Sequence, residues 1–160
     1  MGSRITPENI AGLVVGEGCF YAESAPDPKY KSGWRIRPAF CIEMRHDEIE
    51  ALEAVRDALG CGGIYRLDFG RYKGYRRKGW APHAKFRVSR LSDLHDRVIP
   101  FFQEYTLFGR KKHAFECFVP LVDLLSARRH LKPDGLKEAR RLARRLALHN
   151  SGGRPPAVLD

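Results

Sequence analysis

No stretch of this chain approaches the ~20 uninterrupted apolar residues of a membrane span. The N-terminus also lacks the basic, then apolar, then small-residue order of a secretory leader. Neither a membrane protein nor an exported one is expected. Cysteine is scarce: four residues, at 19, 41, 61 and 117. They form no C-x-x-C pair, which argues against a zinc finger. A chain of 160 residues can bury a core without disulfides, so these read as reduced intracellular thiols. The six histidines form neither H-x-x-x-H nor H-E-x-x-H and read as surface or hydrogen-bonding groups. No G-x-x-x-x-G-K-[ST] and no G-x-S-x-G occurs, which disfavours P-loop nucleotide hydrolases and serine hydrolases.

Acid is the scarcer sign of charge, 19 residues against 29 basic ones, for a net charge of +10. Such a surplus concerns partners rather than fold, and a polyanion, nucleic acid first, is the natural partner. The apolar content of 43% is ordinary and excludes wholesale disorder. The length suggests one domain, taken as residues 1–150, with residues 151–160 a loose tail.

The pattern predicts helix, two strands, helix, two strands, then helices. Thr6 caps a first helix with Pro7 and Glu8 in its first turn. Ile10, Leu13 and Val14 form one face, Gly12 and Gly16 another, and Gly18 supplies the stop. Cys19 to Ser24 has strand character. A second strand, about Trp34 to Met44, alternates Ile36, Phe40 and Ile42 with Arg35, Arg37, Cys41 and Glu43. Asp47 caps a helix ending at Gly60. Ile64 to Phe69 and Ala84 to Ser89 are strands flanking a basic, glycine-punctuated hairpin tip, with Lys85 and Arg87 outward. Ser92 caps a helical stretch interrupted near Pro100. A helix after Gly109 carries Phe115 and Phe118 and is kinked at Pro120. Pro133 opens a last helix with Leu136, Ala139, Ala143 and Leu146 inward. Four antiparallel strands with helices on one face make an α+β layer, leaving a polar, basic sheet face uncovered.

Four features carry chemistry. From Arg66 to Arg90 there are nine basic side chains and one acid, Asp68, interleaved with Tyr72, Tyr75 and Trp80; a basic two-stranded ribbon fits the major groove of DNA. Glu17 closes the first helix, where the macrodipole opposes a carboxylate and a divalent cation reverses that sign. Gly12 and Gly16, four apart, let a second helix approach closely, and two copies pairing there would bring two Glu17 side chains together. Gly109-Arg110-Lys111-Lys112 is a glycine-bounded basic cluster suited to phosphate.

These features occur in a familiar order. Ile10-Ala11-Gly12-Leu13-Val14-Val15-Gly16-Glu17-Gly18, followed by Phe20, resembles the motif of the LAGLIDADG homing endonucleases. Phe40-Cys41-Ile42, Leu59-Gly60-Cys61-Gly62-Gly63-Ile64-Tyr65, Gly109-Arg110-Lys111 and His130-Leu131-Lys132-Pro133-Asp134-Gly135-Leu136 continue the likeness over roughly residues 8–150. Three positions depart from the pattern: Val15 stands where an acid often stands, Glu17 replaces aspartate, and Met44 falls where a water-positioning polar residue is common, with Glu43, Arg45 and Glu48 nearby.

The resemblance implies an αββαββα fold with a saddle-shaped four-stranded antiparallel sheet over DNA, helices opposite, and here an extra C-terminal helix. It implies a metal-dependent, site-specific double-stranded DNA endonuclease that leaves short 3′ overhangs, or else a non-cleaving regulator or RNA-splicing maturase on the same fold. One motif per chain implies a homodimer, paired through Gly12, Leu13 and Gly16, on a pseudo-palindrome of roughly 20 bp. Glu17 and the Gly16 carbonyl would hold Mg²⁺, with Mn²⁺ also working and Ca²⁺ binding without turnover. Glu17 and Lys111 would be catalytic, Arg110 and Lys112 being register alternatives to Lys111. Tyr21, Glu23, Arg35, Arg37, Arg66, Asp68, Arg71, Arg76, Arg77, Lys85 and Arg87 would contact DNA, the strand residues among them pointing outward. The expected location is intracellular, bacterial cytoplasm or an organelle, and intron RNA is a partner only in the maturase reading.

Overall fold

Thr6 starts the first element. Its Oγ1 accepts from the Asn9 amide at 3.1 Å, and the Asn9 side chain accepts from the Thr6 amide at 3.3 Å. Two amides that a helix start leaves free are thereby satisfied. The computed structural model describes residues 4–67 and 81–151. Helix α1 runs Pro7–Glu17, with Ile10, Ala11 and Val14 buried. Strand β1 (Gly18–Pro26) begins on the next residue. Gly18 is therefore no left-handed helix stop: it is extended, at φ −79° and ψ 161°. Glycine is required there for room. A Cβ would come 2.7 Å from Val14 Cγ1 and 2.9 Å from the Val14 carbonyl oxygen.

Strand β2 (Trp34–Arg45) returns antiparallel to β1. A short 3₁₀ turn (His46–Glu48) leads into α2 (Ile49–Leu59). Asp47 does not cap α2, because that turn moves the helix start to Glu48, which makes no side-chain cap. Asp47 instead pairs with Arg45 at 3.2 Å. The left-handed Gly60 (φ 71°) ends α2, as expected. Strands β3 (Gly63–Leu67) and β4 (His83–Val88) complete one antiparallel sheet of order β1-β2-β4-β3.

Beyond the sheet, a turn of helix (Leu91–Asp93) passes through a π-helical stretch (Leu94–Val98) into α3 (Ile99–Glu104). Ser92 makes no cap; Arg90 takes the N-cap position, without a side-chain bond. Pro100 does not interrupt the helix either. The Ile99 amide bonds the Leu94 carbonyl, five residues back, so Pro100 falls in the first turn of α3, where its missing N–H is tolerated. Helix α4 (Gly109–Ser126) carries Pro120 internally and remains one helix. Helix α5 (Pro133–Asn150) buries Ala139, Leu142, Ala143 and Leu146. Leu136, expected inward, is only half-buried.

The core lies between the sheet and α4, α3 and α1. Phe20, Phe40, Phe86, Phe102 and Phe118 are all fully buried. Phe20 stacks on Phe40 at 4.9 Å and tilts against Phe118 at 5.1 Å between centroids. Each such ring removed from water contributes about 1.5–3 kcal/mol. Two polar contacts tie α5 to the sheet. The Asn150 amide donates to the Phe20 carbonyl at 2.8 Å, and Arg140 lies 3.8 Å from the centroid of the Trp34 ring. The result is the α+β arrangement expected, with one sheet face packed on helices.

Candidate active site and nucleic-acid interface

Antiparallel partners share a face, so the register sorts the sheet. Phe20, Phe40 and Val88 align on the helix side, as do Ile42, Phe86 and Ile64. The opposite, outer face carries Cys19, Tyr21 and Glu23 on β1, Arg35, Arg37, Cys41 and Glu43 on β2, and Lys85 and Arg87 on β4. Lys85 Nζ and Arg87 Cζ lie 6.0 and 5.9 Å from the Tyr21 ring centroid. Since β2 runs between β1 and β4, both side chains must cross over Ala39 and Cys41, which explains why these outer-face residues are buried. Burial raises the Tyr21 pKa, against the pull of Arg87. Arg87 Nε is buried and has no hydrogen-bond partner.

The other arginines differ. Arg35 is clamped by Glu23 at 2.7 Å and Asp27 at 3.1 Å. Arg37 donates from Nε and Nη2 to the Tyr30 hydroxyl oxygen, at 3.1 and 2.8 Å. Arg66 requires a correction. It pairs with Ala84, a helix-side residue, so it points away from the outer face and is exposed where the edge strand outruns its cover. Tyr65, 56% exposed, is the outer-face residue there. Asp68, Arg71, Arg76 and Arg77 lie outside the described residues.

Met44 also pairs with Ala84 and packs against the core, so it cannot position water. Its neighbour Glu43 is on the outer face, opposite Lys85, with His83 Nδ1 3.0 Å from its Oε1. Period-two alternation already pointed Glu43 outward; a motif count stops one residue late.

At the end of α1, Gly16 and Glu17 are exposed. A helix end leaves its last carbonyls without intrahelical partners. Gly109, held at φ 66°, starts α4. The phase it sets leaves Arg110 and Lys112 exposed and half-buries Lys111, whose ammonium donates to the Gly18 carbonyl. The Lys111 charge therefore lies at the end of α1, where the helix dipole is negative. Cys19 adjoins it. A hydrogen bond with Cys41, aided by Lys111 and Lys85, outweighs burial and pulls the Cys19 thiol down to about 7, while Cys41 is pushed up.

An exposed carboxylate beside free carbonyls is a suitable donor set for a hard divalent cation, but Glu17 is one ligand. Among the described residues, no group of three or more His, Cys, Asp or Glu stands together to hold a metal. The donors fit a metal only as half of a larger site.

The bare face of α1 supplies a route to the other half. A Cβ added to Gly12 or Gly16 would meet nothing within 4 Å. Leu13 is half-buried against the core. Alongside Gly12 runs a groove of about 320 Å³ lined by Glu8, Ala11, Tyr105 and Phe108, and Phe108 is 66% exposed. Among the described residues no helix is long and apolar enough to cross a membrane.

Comparison with known proteins agrees with this geometry. The family model described as LAGLIDADG endonuclease matches residues 10–122. The chain is 26% identical over 135 residues to "Probable intron-encoded endonuclease 2" of Neurospora crassa, covering 84% of this chain and 27% of that protein. It spans about a quarter of the length of the curated relatives it matches. Among solved structures, the homing endonuclease I-TnaI superposes with a TM-score of 0.75 at 25% identity, over 95% of this chain and 100% of that one. I-LtrWI bound to target DNA gives 0.78 at 25% identity, over 91% and 45%.

Proposed function

Because the chain belongs to the LAGLIDADG endonuclease family, we propose that it is a site-specific double-stranded DNA endonuclease acting as a homodimer. The observation that carries this reading is the exposed Glu17 at the end of a helix whose Gly12/Gly16 face is bare. Each chain supplies one such acid. Two copies docked α1 against α1, with Leu13 flanking the glycines and Phe108 extending the contact, bring two acids to one place. They also join two basic sheet faces into one long surface for a pseudo-palindrome of roughly 20 bp.

Glu17 and the Gly16 carbonyl hold a divalent cation, Mg²⁺ or Mn²⁺, with Ca²⁺ as a non-productive substitute. Such an ion, when bound, supplies Lewis-acid stabilisation of the phosphoryl oxygens and lowers the pKa of water. The rest falls to the chain. Lys111 holds a positive charge beside the phosphate that is attacked. Glu43 is the outer-face carboxylate available to orient water near that point. Arg87, Lys85, Arg37 and Tyr21 bind the duplex, through phosphates for register and base edges for sequence. Arg35 and Glu23, already paired, shape the far end of the surface. The products are phosphodiester ends with short 3′ overhangs. An endonuclease of this kind works inside the cell, alongside DNA.

The test is selection of a cleavage site from a duplex library with purified protein and Mg²⁺, repeated with Glu17→Gln. The exposed Glu17 makes no fold-critical contact, so the variant should stay within about 0.5 kcal/mol of native stability. It should bind duplex as before and lose at least about 100-fold in cleavage. Cleavage that survived Glu17→Gln would overturn the assignment.

A further inference from the structure

Cys19 and Cys41 are direct cross-strand partners in the β1–β2 register. Direct partners in an antiparallel pair have Cα atoms roughly 4.5–5.5 Å apart, inside the roughly 4.4–6.8 Å that a disulfide spans. As direct cross-strand partners the two side chains point to the same face of the sheet. Both are free. Cys19 is half-exposed whereas Cys41 is 7% exposed, so a reagent from solvent reaches Cys19 first. The other cysteines have no such arrangement: Cys61 precedes β3, and Cys117 is buried on α4.

We propose that Cys19 and Cys41 are a reversible oxidation site, a cross-strand dithiol on the outer sheet face that closes to a disulfide by exchange with small-molecule disulfides. In the first step the Cys19 sulfur, its proton lost to solvent, attacks one sulfur of oxidised glutathione and expels glutathione thiolate, leaving a mixed disulfide on Cys19. In the second, Cys41 gives its proton to solvent or to the released thiolate, attacks Cys19 Sγ and expels the second glutathione thiolate. Two protein thiols are oxidised and one glutathione disulfide is reduced to two thiols, so electrons balance. The cross-strand pairing means that the second step needs side-chain rotation rather than strand movement. Attack by Cys41 is therefore expected to leave little mixed disulfide on the wild-type chain.

The experiment incubates the folded chain with oxidised glutathione, quenches with iodoacetamide and maps the peptides by mass spectrometry. The expected product joins the Cys19 and Cys41 peptides, leaves Cys61 and Cys117 as thiols, and reverts fully with dithiothreitol. Cys41→Ser should instead accumulate glutathione on Cys19. Wild-type protein that stops at the same glutathione adduct, or that leaves Cys19 unmodified, overturns the proposal. Phenylarsine oxide, which bridges closely spaced dithiols, gives a check that needs no substitution. It should protect Cys19 and Cys41 from alkylation together, and protection of neither overturns the pairing.

Discussion

Three glycines within seven residues of α1 and its exit meet different surroundings, so one substitution should have opposite effects along the segment. At Gly12 and Gly16 an added methyl meets nothing within 4 Å. Alanine there removes the helix-interior cost of glycine, about 0.8–1 kcal/mol per site, so the separated chain becomes more stable. At Gly18 the same methyl meets Val14 Cγ1 at 2.7 Å and, more seriously, the Val14 carbonyl oxygen at 2.9 Å and Cα at 3.0 Å. Backbone cannot rotate aside as a side chain can, so Gly18→Ala should cost about 1–3 kcal/mol. Urea unfolding at protein concentrations below the dimer dissociation constant isolates these terms from association. Sedimentation at higher concentration then reads the pairing: larger Gly12→Val and Gly16→Val side chains should weaken the dimer at least about tenfold, or 1.4 kcal/mol, and cleavage should fall with it. Wild-type stability in Gly18→Ala would refute the packing argument. Undiminished association in both valine variants would refute the bare-face argument.

Other consequences are open to measurement. Lys111→Met removes the ammonium from the Gly18 carbonyl; cleavage should fall while duplex affinity in a gel shift changes little, and stability should drop by about 1–2 kcal/mol. Arg140→Ala loses the stacking on Trp34 at 3.8 Å, at a cost of about 0.5–2 kcal/mol by denaturant unfolding. Burial, with Arg128 nearby, holds the His130 pKa below its ordinary 6.5. The folded chain then binds fewer protons there than the unfolded one, so its contribution is intact above pH 6.5 and lost as pH falls through the lower folded value. His130→Gln should flatten the acid side of a pH–stability profile, and an unchanged slope would remove His130 as its cause.

Local rules explain which parts of this fold were legible in the sequence. The Thr6 cap, the Gly60 stop and the alternate facing of β2 residues depend on residues within a few positions of each other, and all appear in the structure. Asp47 and Ser92 are residues of capping type yet cap nothing, because the helix starts lie one or two residues away, at Glu48 and Arg90. Arg66 shows a different limit. Which face it occupies depends on pairing with Ala84, eighteen residues further along the chain, and a single-residue slip reverses it. Of the candidate site, spacing placed Glu17 at the end of α1 and Gly12 and Gly16 together on it, and the structure leaves all three exposed; the metal role of Glu17 came from the family resemblance. Lys111 was readable only to within its basic cluster, since helix phase after Gly109 decides which cation turns inward. The Cys19–Cys41 apposition required the length of the hairpin joining β1 and β2, which composition does not reveal.

The passage from α1 into β1 without an intervening residue makes helix and sheet a single lever lacking a hinge. In a dimer joined through that helix, the crossing angle of the two levers would set how far apart the paired reading surfaces stand. A substitution that tilted the crossing would then change the number of base pairs between half-sites while leaving each half-site's sequence preference intact.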